Sequence, residues 1–332
     1  MTEEVINSIS TSPLCRLCPR ECGVDRALVP GVCGAGDRVR INLWQPHFGE
    51  EPPITGTQGS GTIFFSHCNL RCVYCQNHRI SQQGWGRNYD ILDVAEIMLE
   101  LAARGTHNIN LVTPTHYSRQ IRTALTMARG QGLGLPVIWN SSAYELAETL
   151  RGMAGSVDVY LPDLRYADSG AALRYSGAAD YPEKARAAIL EMFRQVGHLQ
   201  LDESGLAVRG MLIRLLILPG NVNRVDRSLR WIRDHLGSET AISIMAQYYP
   251  AHRVGSTFPE LNRPISQTEY DDILDVIDTL GFGNGFIQEL SPPTPEWTPA
   301  FRMESRLCGY SSSHPESPFF PDAGTSCFQS GN

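Results

Sequence analysis

Three cysteines, Cys68, Cys72 and Cys75, form the spacing C-x3-C-x2-C. Three thiolates on one short loop can ligate three irons of a [4Fe-4S] cube and leave the fourth iron without a protein ligand. An iron without a protein ligand is a place where a substrate or cofactor can bind. The spacing therefore predicts an iron–sulfur site whose chemistry occurs at the open iron.

Zinc is the alternative interpretation of the same three cysteines. A structural zinc site needs four ligands. No fourth ligand follows Cys75 at ordinary spacing, although His67 or His78 would serve. Disulfides are disfavoured, because the chain has nine cysteines and its first residues are acidic where a signal peptide is basic. We expect a cytoplasmic protein with reduced thiols.

A second set of cysteines lies closer to the N-terminus, with the spacing C-x2-C-x3-C-x10-C. Its members are Cys15, Cys18, Cys22 and Cys33. Four thiolates complete a site, so this set predicts either a structural zinc ion or a second iron–sulfur cluster. The spacing does not decide between them. The two remaining cysteines, Cys308 and Cys327, are expected to be incidental thiols of the tail.

The composition limits the partners of these sites. The chain has 332 residues, of which 42% are hydrophobic, and it can bury a substantial core. Its net charge of -7 argues against binding to nucleic acid or to anionic membranes, which favour a basic excess. No apolar run is long enough for a membrane span. We expect a protein or a small molecule as substrate.

Three regions differ in composition. Residues 1–58 are predicted to form a cysteine-rich metal-binding extension, within which Pro52 and Pro53 prevent a helix from running through residues 49–56. Residues 59–290 alternate β-branched runs with helical patterns, as parallel α/β sheets do. Residues 291–332 are rich in Pro and Ser, and we expect a strap over the barrel up to about Phe301 and disorder beyond it.

The central region predicts an α/β fold, a partial (βα)6 TIM-like barrel. Six strands and the helices after them fit an open barrel, because two further units do not fit before the tail. The predicted strands are Gly61–Ser66, Asn108–Thr113, Pro136–Asn140, Val157–Leu161, Met211–Leu218 and Ala241–Ala246. The predicted helices begin near Ile91, Ser118, Tyr144, Pro182, Val225 and Ser266.

The cysteine motif, with Tyr74 before its last cysteine and a strand before the loop, resembles the radical S-adenosylmethionine (SAM) superfamily. The similar branch is that of pyruvate formate-lyase-activating enzyme, and within it a subgroup that carries stretches like 47–53 (H-x-G-E-E-P-P) and 59–66 (G-S-G-T-x-F-F-S). This resemblance implies that SAM binds the open iron. It also implies reductive cleavage of SAM to a 5′-deoxyadenosyl radical, which abstracts hydrogen from a protein or small-molecule substrate.

The resemblance also implies partners and a second cofactor. Activation of a glycyl-radical enzyme is one substrate hypothesis, and flavodoxin or ferredoxin is the kind of electron donor expected. Because some members of this branch carry additional clusters, the resemblance slightly favours a second [4Fe-4S] cluster over zinc at the N-terminal cysteines. The alternative from a different class is a non-catalytic metal-binding protein with structural cysteine sites.

Cofactor contacts are expected where strands end, because ligands of parallel α/β proteins bind there. The resemblance places these contacts at Tyr74, Gln76, Thr113, Thr115, His116, Asn140, Ser141, Asp163, Arg165, Arg214 and His252. The turn at 113–116 departs from the Gly-Gly-Glu-like turn of the family. Arg165 is expected to bind the methionine carboxylate.

Several of these residues have a plain structural alternative. Asp163 and Arg165 can form a solvated pair, and a lone histidine such as His252 is ordinarily structural. Arg214 lies within an apolar strand and is expected to be paired, because an unpaired buried charge is costly. The candidates for substrate contact are His47, Glu50 and Glu51, for which a role in a turn is equally expected.

Overall fold

The computed structural model describes residues 14–290 together with residues 299, 301 and 303. In that part of the chain ten strands and nine α-helices are found. The strands are β1 (Val39–His47), β2 (Ser60–Phe65), β3 (Arg87–Tyr89), β4 (Ile109–Val112), β5 (Val137–Ser141), β6 (Val159–Pro162), β7 (Gln200–Leu201), β8 (Ala207–Leu216), β9 (Ala241–Met245) and β10 (Gly285–Ile287). The helices are α1 (Pro52–Thr55), α2 (His78–Ser81), α3 (Ile91–Ala103), α4 (Ser118–Gly130), α5 (Ala147–Arg151), α6 (Ser169–Ser176), α7 (Tyr181–Val196), α8 (Val225–Leu236) and α9 (Gln267–Leu280).

The strands form one mostly parallel sheet in the order β10-β9-β8-β6-β5-β4-β2-β1-β3, and β7 pairs with β8. Strands β2, β4, β5, β6, β8, β9 and β10 are parallel, whereas β1 runs antiparallel to β2 and β3. In the described part of the chain β3 and β10 are the two edges, so the sheet does not close. The predicted α/β class with an open, partial barrel is confirmed.

All six predicted strands are present, with ends that differ by up to four residues. The sheet adds a seventh parallel strand, β10, which is short and largely exposed. The predicted helices are also present, and the structure adds α6 between β6 and α7. Among the helices of the described residues, none is long and apolar enough to cross a membrane.

Local sequence signals define several helix ends. A capping box begins α3, in which Asp90 and Asp93 each accept a backbone N–H of the other. Helix α6 begins where the Asp168 carboxylate accepts the Ala171 N–H at 2.8 Å. It ends at Gly177, whose φ of 63° is the left-handed conformation that glycine adopts without strain.

The segment after β1 covers the N-terminal ends of the parallel strands. No helix runs through residues 49–56, as predicted, but α1 begins at Pro52, because a proline at the first helical positions loses no hydrogen bond. Asn108 at the start of β4 donates to the Ile54 carbonyl at 2.7 Å, and Ile54 is fully buried. Asn110 on β4 donates to Glu50 Oε1 at 2.9 Å, which holds the Glu50 side chain against the sheet.

The two predicted domain boundaries can be compared with the described residues only in part. Strand β1 lies within the region assigned to the extension and pairs with β2, and the boundary at residue 58 stays a prediction. Phe301 is buried, and its ring centre lies 5.6 Å from that of Phe64 on β2. The expected disorder beyond Phe301, and the thiols Cys308 and Cys327, fall outside the described residues.

Candidate functional site

The three cysteines of the C-x3-C-x2-C motif lie on residues 66–77 between β2 and α2, which we call the cysteine loop. Strand β2 is buried along its whole length, so the start of the loop is fixed. His67 has φ 73°, in the left-handed region, and donates its backbone N–H to the Ile80 carbonyl at 2.9 Å. On the other side, the Val73 N–H donates to the Tyr175 carbonyl at 2.8 Å. The loop is thus held by both α2 and α6.

A hydrogen-bonding group lies beside each sulfur atom of the loop. These groups are Ser176 Oγ at 3.0 Å from Cys72 Sγ, Ser81 Oγ at 3.2 Å from Cys75 Sγ and the Leu70 N–H at 3.4 Å from Cys68 Sγ. Hydrogen bonds to ligand sulfurs stabilise negative charge on them and tune the potential of a bound cluster. The surroundings of the thiols therefore suit thiolate ligands.

Tyr74 begins a buried hydrogen-bonded chain that ends on a cysteine. Its hydroxyl lies 2.7 Å from the Tyr166 hydroxyl, which lies 2.6 Å from Ser176 Oγ. Ser176 in turn donates to Cys72 Sγ. Burial raises the pKa of Tyr74 and of Tyr166, so both hydroxyls remain protonated donors. These hydrogen bonds link Tyr74, the aromatic residue of the motif, to the thiol of Cys72.

Burial raises the pKa of the Cys68 thiol to about 12 and that of the Cys75 thiol to about 11, with Cys72 as the next cause in both. Thiols with such values are neutral at physiological pH and make poor nucleophiles. Binding to a metal lowers the pKa of a thiol, because the metal-bound sulfur is deprotonated. The donor set fits an iron–sulfur cluster better than it fits a reactive cysteine.

A cleft of about 180 Å³ lies at the carboxyl ends of the parallel strands, beside Cys75. Five residues predicted to contact a cofactor line it: Tyr74, Gln76, Asp163, Arg165 and Arg214. The opposite wall comes from the end of β9, where the Gln247 carbonyl accepts a hydrogen bond from Gln76 Nε2 at 3.4 Å. The structure therefore places one cysteine and charged groups from two strands around one small space.

Arg214 is the centre of a buried ion network. It donates to Asp163 Oδ1 at 2.7 Å, to Glu50 Oε2 at 2.9 Å and to Asn140 Oδ1 at 2.6 Å. The side chains of Arg214 and Glu50 are only 12% and 8% exposed. The expectation that Arg214 is paired is confirmed, and Glu50 is its counter-ion from the segment before α1.

Asp163 links this network to Arg165. The Arg165 guanidinium donates to Asp163 Oδ2 at 2.6 Å, and the two side chains are 27% and 14% exposed. This degree of burial does not match a freely solvated surface pair. Because Asp163 binds Arg214 with one oxygen and Arg165 with the other, it fixes both cations at the cleft.

The cleft also contains polar atoms without a partner among the described residues. They are Arg165 Nε, a donor, and Asn223 Oδ1, an acceptor. Asn223 is fully buried, and its side-chain amide N–H groups donate to the carbonyls of Leu216 and Arg165 at 2.8 and 3.1 Å. Its oxygen is therefore buried beside the cleft without a hydrogen-bond partner among the described residues. Sequence analysis missed Asn223, although a polar residue after β8 is a signal of the kind used at other strand ends.

Residues 62–232, more than half of the chain, match the family model of the Radical SAM superfamily. The chain belongs to the radical SAM superfamily. Membership in the radical SAM superfamily implies a [4Fe-4S] cluster and SAM as cofactors. It makes the protein an enzyme that cleaves SAM at the cluster, takes electrons from a donor and acts on a substrate.

A curated relative, the uncharacterized protein MJ0674 of Methanocaldococcus jannaschii, is 26% identical over 279 residues that cover 80% of this chain and 74% of the relative. The solved structures that match this chain include HydG, a maturase of the [FeFe]-hydrogenase, with a TM-score of 0.47 and 12% identity over 69% of this chain. The match covers 51% of HydG, so the chain spans about half its length. TYW1 with a lysine-pyruvate adduct has a TM-score of 0.42 and 13% identity, over 65% of this chain and 70% of TYW1.

Other residues predicted to contact the cofactor of this radical SAM enzyme lie away from the lining of the cleft. Ser141 donates to the buried Glu145 carboxylate at 2.7 Å, and Thr115 is buried. The ring Nε2 of His116 lies 2.8 Å from the Ser66 carbonyl at the start of the cysteine loop. Burial lowers the pKa of His116 to about 3, so its ring is neutral and donates this hydrogen bond. Thr113 has a left-handed φ of 59° directly after β4.

His252 packs on the segment that follows the cysteine loop. Its ring is stacked on that of His78, with centres 4.6 Å apart, and its Nε2 lies 3.3 Å from Gln82 Oε1. Burial, and then His78, lowers the pKa of His252 to about 4. The neighbouring Arg253 donates its backbone N–H to the Val73 carbonyl at 2.9 Å. The segment that follows β9 is thus attached to the cysteine loop through Arg253.

The four N-terminal cysteines lie on residues 14–38, the described part of the predicted region 1–58 that precedes β1. From here on, the extension means residues 14–38. Cys18 and Cys33 are buried, and burial raises the pKa of Cys18 to about 11. Gly31 lets two thiols approach, because a Cβ there would lie 3.3 Å from Cys22 Sγ and 3.4 Å from Cys33 Sγ. The seven described cysteines are free thiols. Among the described residues, no three His, Cys, Asp or Glu side chains surround a single metal position.

Proposed function

We propose that Cys68, Cys72 and Cys75 bind the [4Fe-4S] cluster, and that the enzyme is an oxidoreductase of the pyruvate formate-lyase-activating-enzyme-like branch. The observation that carries this proposal is the place of the three thiols. They share one loop, and that loop forms a wall of the cleft at the carboxyl ends of the parallel strands. When bound, the cluster supplies the electron that cleaves SAM to methionine and a 5′-deoxyadenosyl radical.

The residues of the cleft would bind and orient SAM. Arg165 offers a charged donor for the methionine carboxylate, and Asp163 holds the guanidinium in place. Asn223 Oδ1 offers an acceptor. The network around Arg214 keeps these groups fixed before the cofactor arrives, which lowers the reorganisation needed on binding. Gln76, Asn140 and His252 stay predictions as cofactor contacts.

Anaerobic reconstitution tests this proposal. The protein is loaded with iron and sulfide, reduced with dithionite and mixed with SAM, and 5′-deoxyadenosine is measured by chromatography. We expect 5′-deoxyadenosine from the wild type and none above background from the variant in which Cys68, Cys72 and Cys75 are all alanine. Wild-type 5′-deoxyadenosine that does not exceed the amount from this variant would refute the proposal, and the absence of product from both proteins would leave a non-catalytic metal-binding protein.

We also propose that Cys15, Cys18, Cys22 and Cys33 bind a second metal centre, with an iron–sulfur cluster preferred over zinc. Four thiols that include two buried ones support a closed site. The variant lacking Cys68, Cys72 and Cys75 isolates this site, and elemental analysis of it reads the metal directly. Iron with inorganic sulfide supports a cluster, zinc without iron rejects it, and neither metal rejects the site.

For the substrate, we propose a protein or small molecule that yields a hydrogen atom, with the glycine of a glycyl-radical enzyme as the specific hypothesis. The electron donor would be a flavodoxin or ferredoxin in the cytoplasm. Anaerobic co-purification identifies partners, and a deuterated candidate substrate tests them. Deuterium in the recovered 5′-deoxyadenosine supports a candidate, and its absence excludes that candidate.

A further inference from the structure

We infer that the metal centre of the extension holds the cysteine loop in its ligand-binding conformation, and that Arg20 and Asn69 are the positioning residues that couple the two cysteine sets. The inference rests on the proposed function of both sets. It assigns to the N-terminal centre a role in assembly of the catalytic cluster. The extension and the loop contact each other at several residues.

Arg20 connects the extension to the loop directly. It lies between Cys18 and Cys22, two of the proposed N-terminal ligands. Its Nε donates to the Asn69 carbonyl at 2.8 Å, and its Nη1 donates to the Gly177 carbonyl at 2.7 Å. The guanidinium also lies over an aromatic ring, that of Tyr144, with its carbon 5.2 Å from the ring centre. One side chain therefore bonds to the loop and to the end of α6.

Both ends of this connection adjoin a ligand of the proposed cluster. Asn69 follows Cys68 in the chain, and Gly177 follows Ser176, whose hydroxyl donates to Cys72 Sγ at 3.0 Å. A movement of Arg20 would displace the backbone beside one cysteine and the hydrogen-bond donor of another. The charged donor makes these bonds stronger than neutral ones.

Asn69 lies between the two cysteine sets. Its side chain is buried, and its Nδ2 donates to the Tyr144 carbonyl at 2.7 Å. Its Oδ1 lies 4.0 Å from Cys68 Sγ, and the same side chain is within hydrogen-bonding reach of the Cys18 thiol. A single amide thus contacts one thiol of each set.

Further contacts lie on either side of Cys33, the last cysteine of the extension. The Val32 carbonyl accepts a hydrogen bond from Arg71 Nη2 at 2.8 Å, and Arg71 precedes Cys72. A Cβ on Gly34 would lie 2.8 Å from His67 Nδ1, so the backbone of the extension is in close contact with the ring of His67. The extension therefore touches the loop from residue 67 to residue 71.

The extension has little regular structure to hold its shape. Residues 14–38 contain no helix or strand in the structure and are joined by turns, although Cys33 and Ala35 pack in the main core. A bound metal would add to the contacts that fix such a segment. Loss of that metal would loosen Arg20 and the backbone near Cys33, which contact residues 67, 69 and 71 of the loop. Coupling between two binding sites is reciprocal.

Full-length protein with substitutions in the extension tests the inference. The variants Arg20→Ala and Cys18→Ala are reconstituted anaerobically beside Arg16→Ala. Arg16 is a matched control, since it lies in the same motif and is exposed. The readout is the electron paramagnetic resonance signal of the reduced cluster that changes when SAM is added. We measure the chelator concentration that removes half of this signal.

We expect Arg20→Ala and Cys18→Ala to need at least about fivefold less chelator than the wild type. Arg16→Ala should match the wild type, and Arg20→Lys should recover part of the loss because it keeps one donor. Wild-type chelator resistance in Arg20→Ala and Cys18→Ala would overturn the coupling. A wild type without any SAM-sensitive signal would instead refute the proposed function.

A reciprocal measurement does not require Arg20→Ala to fold. The variant lacking Cys68, Cys72 and Cys75 should lose its N-terminal metal at a chelator concentration at least about fivefold lower than the wild type does. Equal chelator resistance of the N-terminal metal in the two proteins would overturn the coupling independently of any change at Arg20.

Discussion

The cysteine loop and the extension carry the same kind of ligand, but different structures position them. The loop follows a buried strand, and its backbone is bonded to α2 and α6. The extension has no helix or strand in residues 14–38. The loop, which the sheet holds, is proposed to present three ligands and to leave one coordination position open. The extension, which turns hold, is proposed to carry a closed set of four ligands.

The charges around the two regions differ in the same way. Near the loop, Arg165 and Arg214 are paired with carboxylates and belong to a network inside the sheet. In the extension, Arg20 donates to backbone carbonyls of neighbouring segments. The first arrangement fixes charges beside the cleft, where we propose that SAM binds, and the second attaches one segment to another. Arginine side chains thus pair with carboxylates in one region and join backbone segments in the other.

The largest expected effect is the loss of structure in the extension on metal removal. We use the variant without Cys68, Cys72 and Cys75, whose remaining metal can be removed with a chelator. Protection of amides in residues 14–38 from hydrogen exchange should fall by about four orders of magnitude, because their order depends on the metal. Protection of β5, inside the sheet, should change little. Equal protection of residues 14–38 with and without metal would show that metal does not order the extension.

The next effect concerns the network that supports the cleft. Arg214→Met leaves the buried Glu50 carboxylate without its counter-ion and leaves Asp163 with Arg165 as its remaining cation, and we expect the free energy of unfolding to fall by about 3–5 kcal/mol. Urea denaturation of the metal-free protein measures this change. Arg263→Met is the matched control, because Arg263 is 47% exposed and its pair with Glu269 contributes about 1 kcal/mol or less. A similar fall in the free energy of unfolding in both variants would show that the buried network stabilises the sheet no more than an exposed ion pair does.

The smallest effect concerns one hydrogen bond to a ligand. Ser176→Ala removes the donor to Cys72 Sγ, which stabilises the reduced, more negative cluster. We expect the midpoint potential to become more negative by about 20–60 mV, the equivalent of one hydrogen bond. A redox titration followed by electron paramagnetic resonance measures it. Ser204→Ala, an exposed serine in the loop before β8, should leave the potential unchanged. An unchanged potential in Ser176→Ala would show that the hydroxyl does not tune the cluster.

The sequence predicted features that depend on neighbouring residues. The cysteine spacing, the buried strands and the periodic helices are all local patterns, and the structure contains the strands and helices they predict. Helix α6 was missed because it is short and begins with Ser169 and Gly170, which are weak helix formers. Strand β10 was missed because it has three residues, begins with glycine and is largely exposed.

Contacts between distant segments were beyond prediction from one sequence. Glu50 was noted for its motif, but its partner Arg214 is 164 positions away. Ser176 and Tyr166 reach the cysteine loop through the packing of α6, which no local pattern indicates. Asn223 gains its place at the cleft from the turn after β8. These residues can be identified only from the three-dimensional structure, in which the ends of the parallel strands lie side by side.

The distance along the chain between Cys72 and Ser176 sets an order of assembly during synthesis. The four cysteines of the extension lie within nineteen residues and can bind metal as soon as they leave the ribosome. The cysteine loop receives its donor from a residue 104 positions later, so it cannot complete its environment until α6 has been made and packed. Contacts of long sequence separation form late and slowly. The proposed N-terminal centre is therefore expected to assemble before the proposed cluster site, whose environment is complete only after Ser176 has been made.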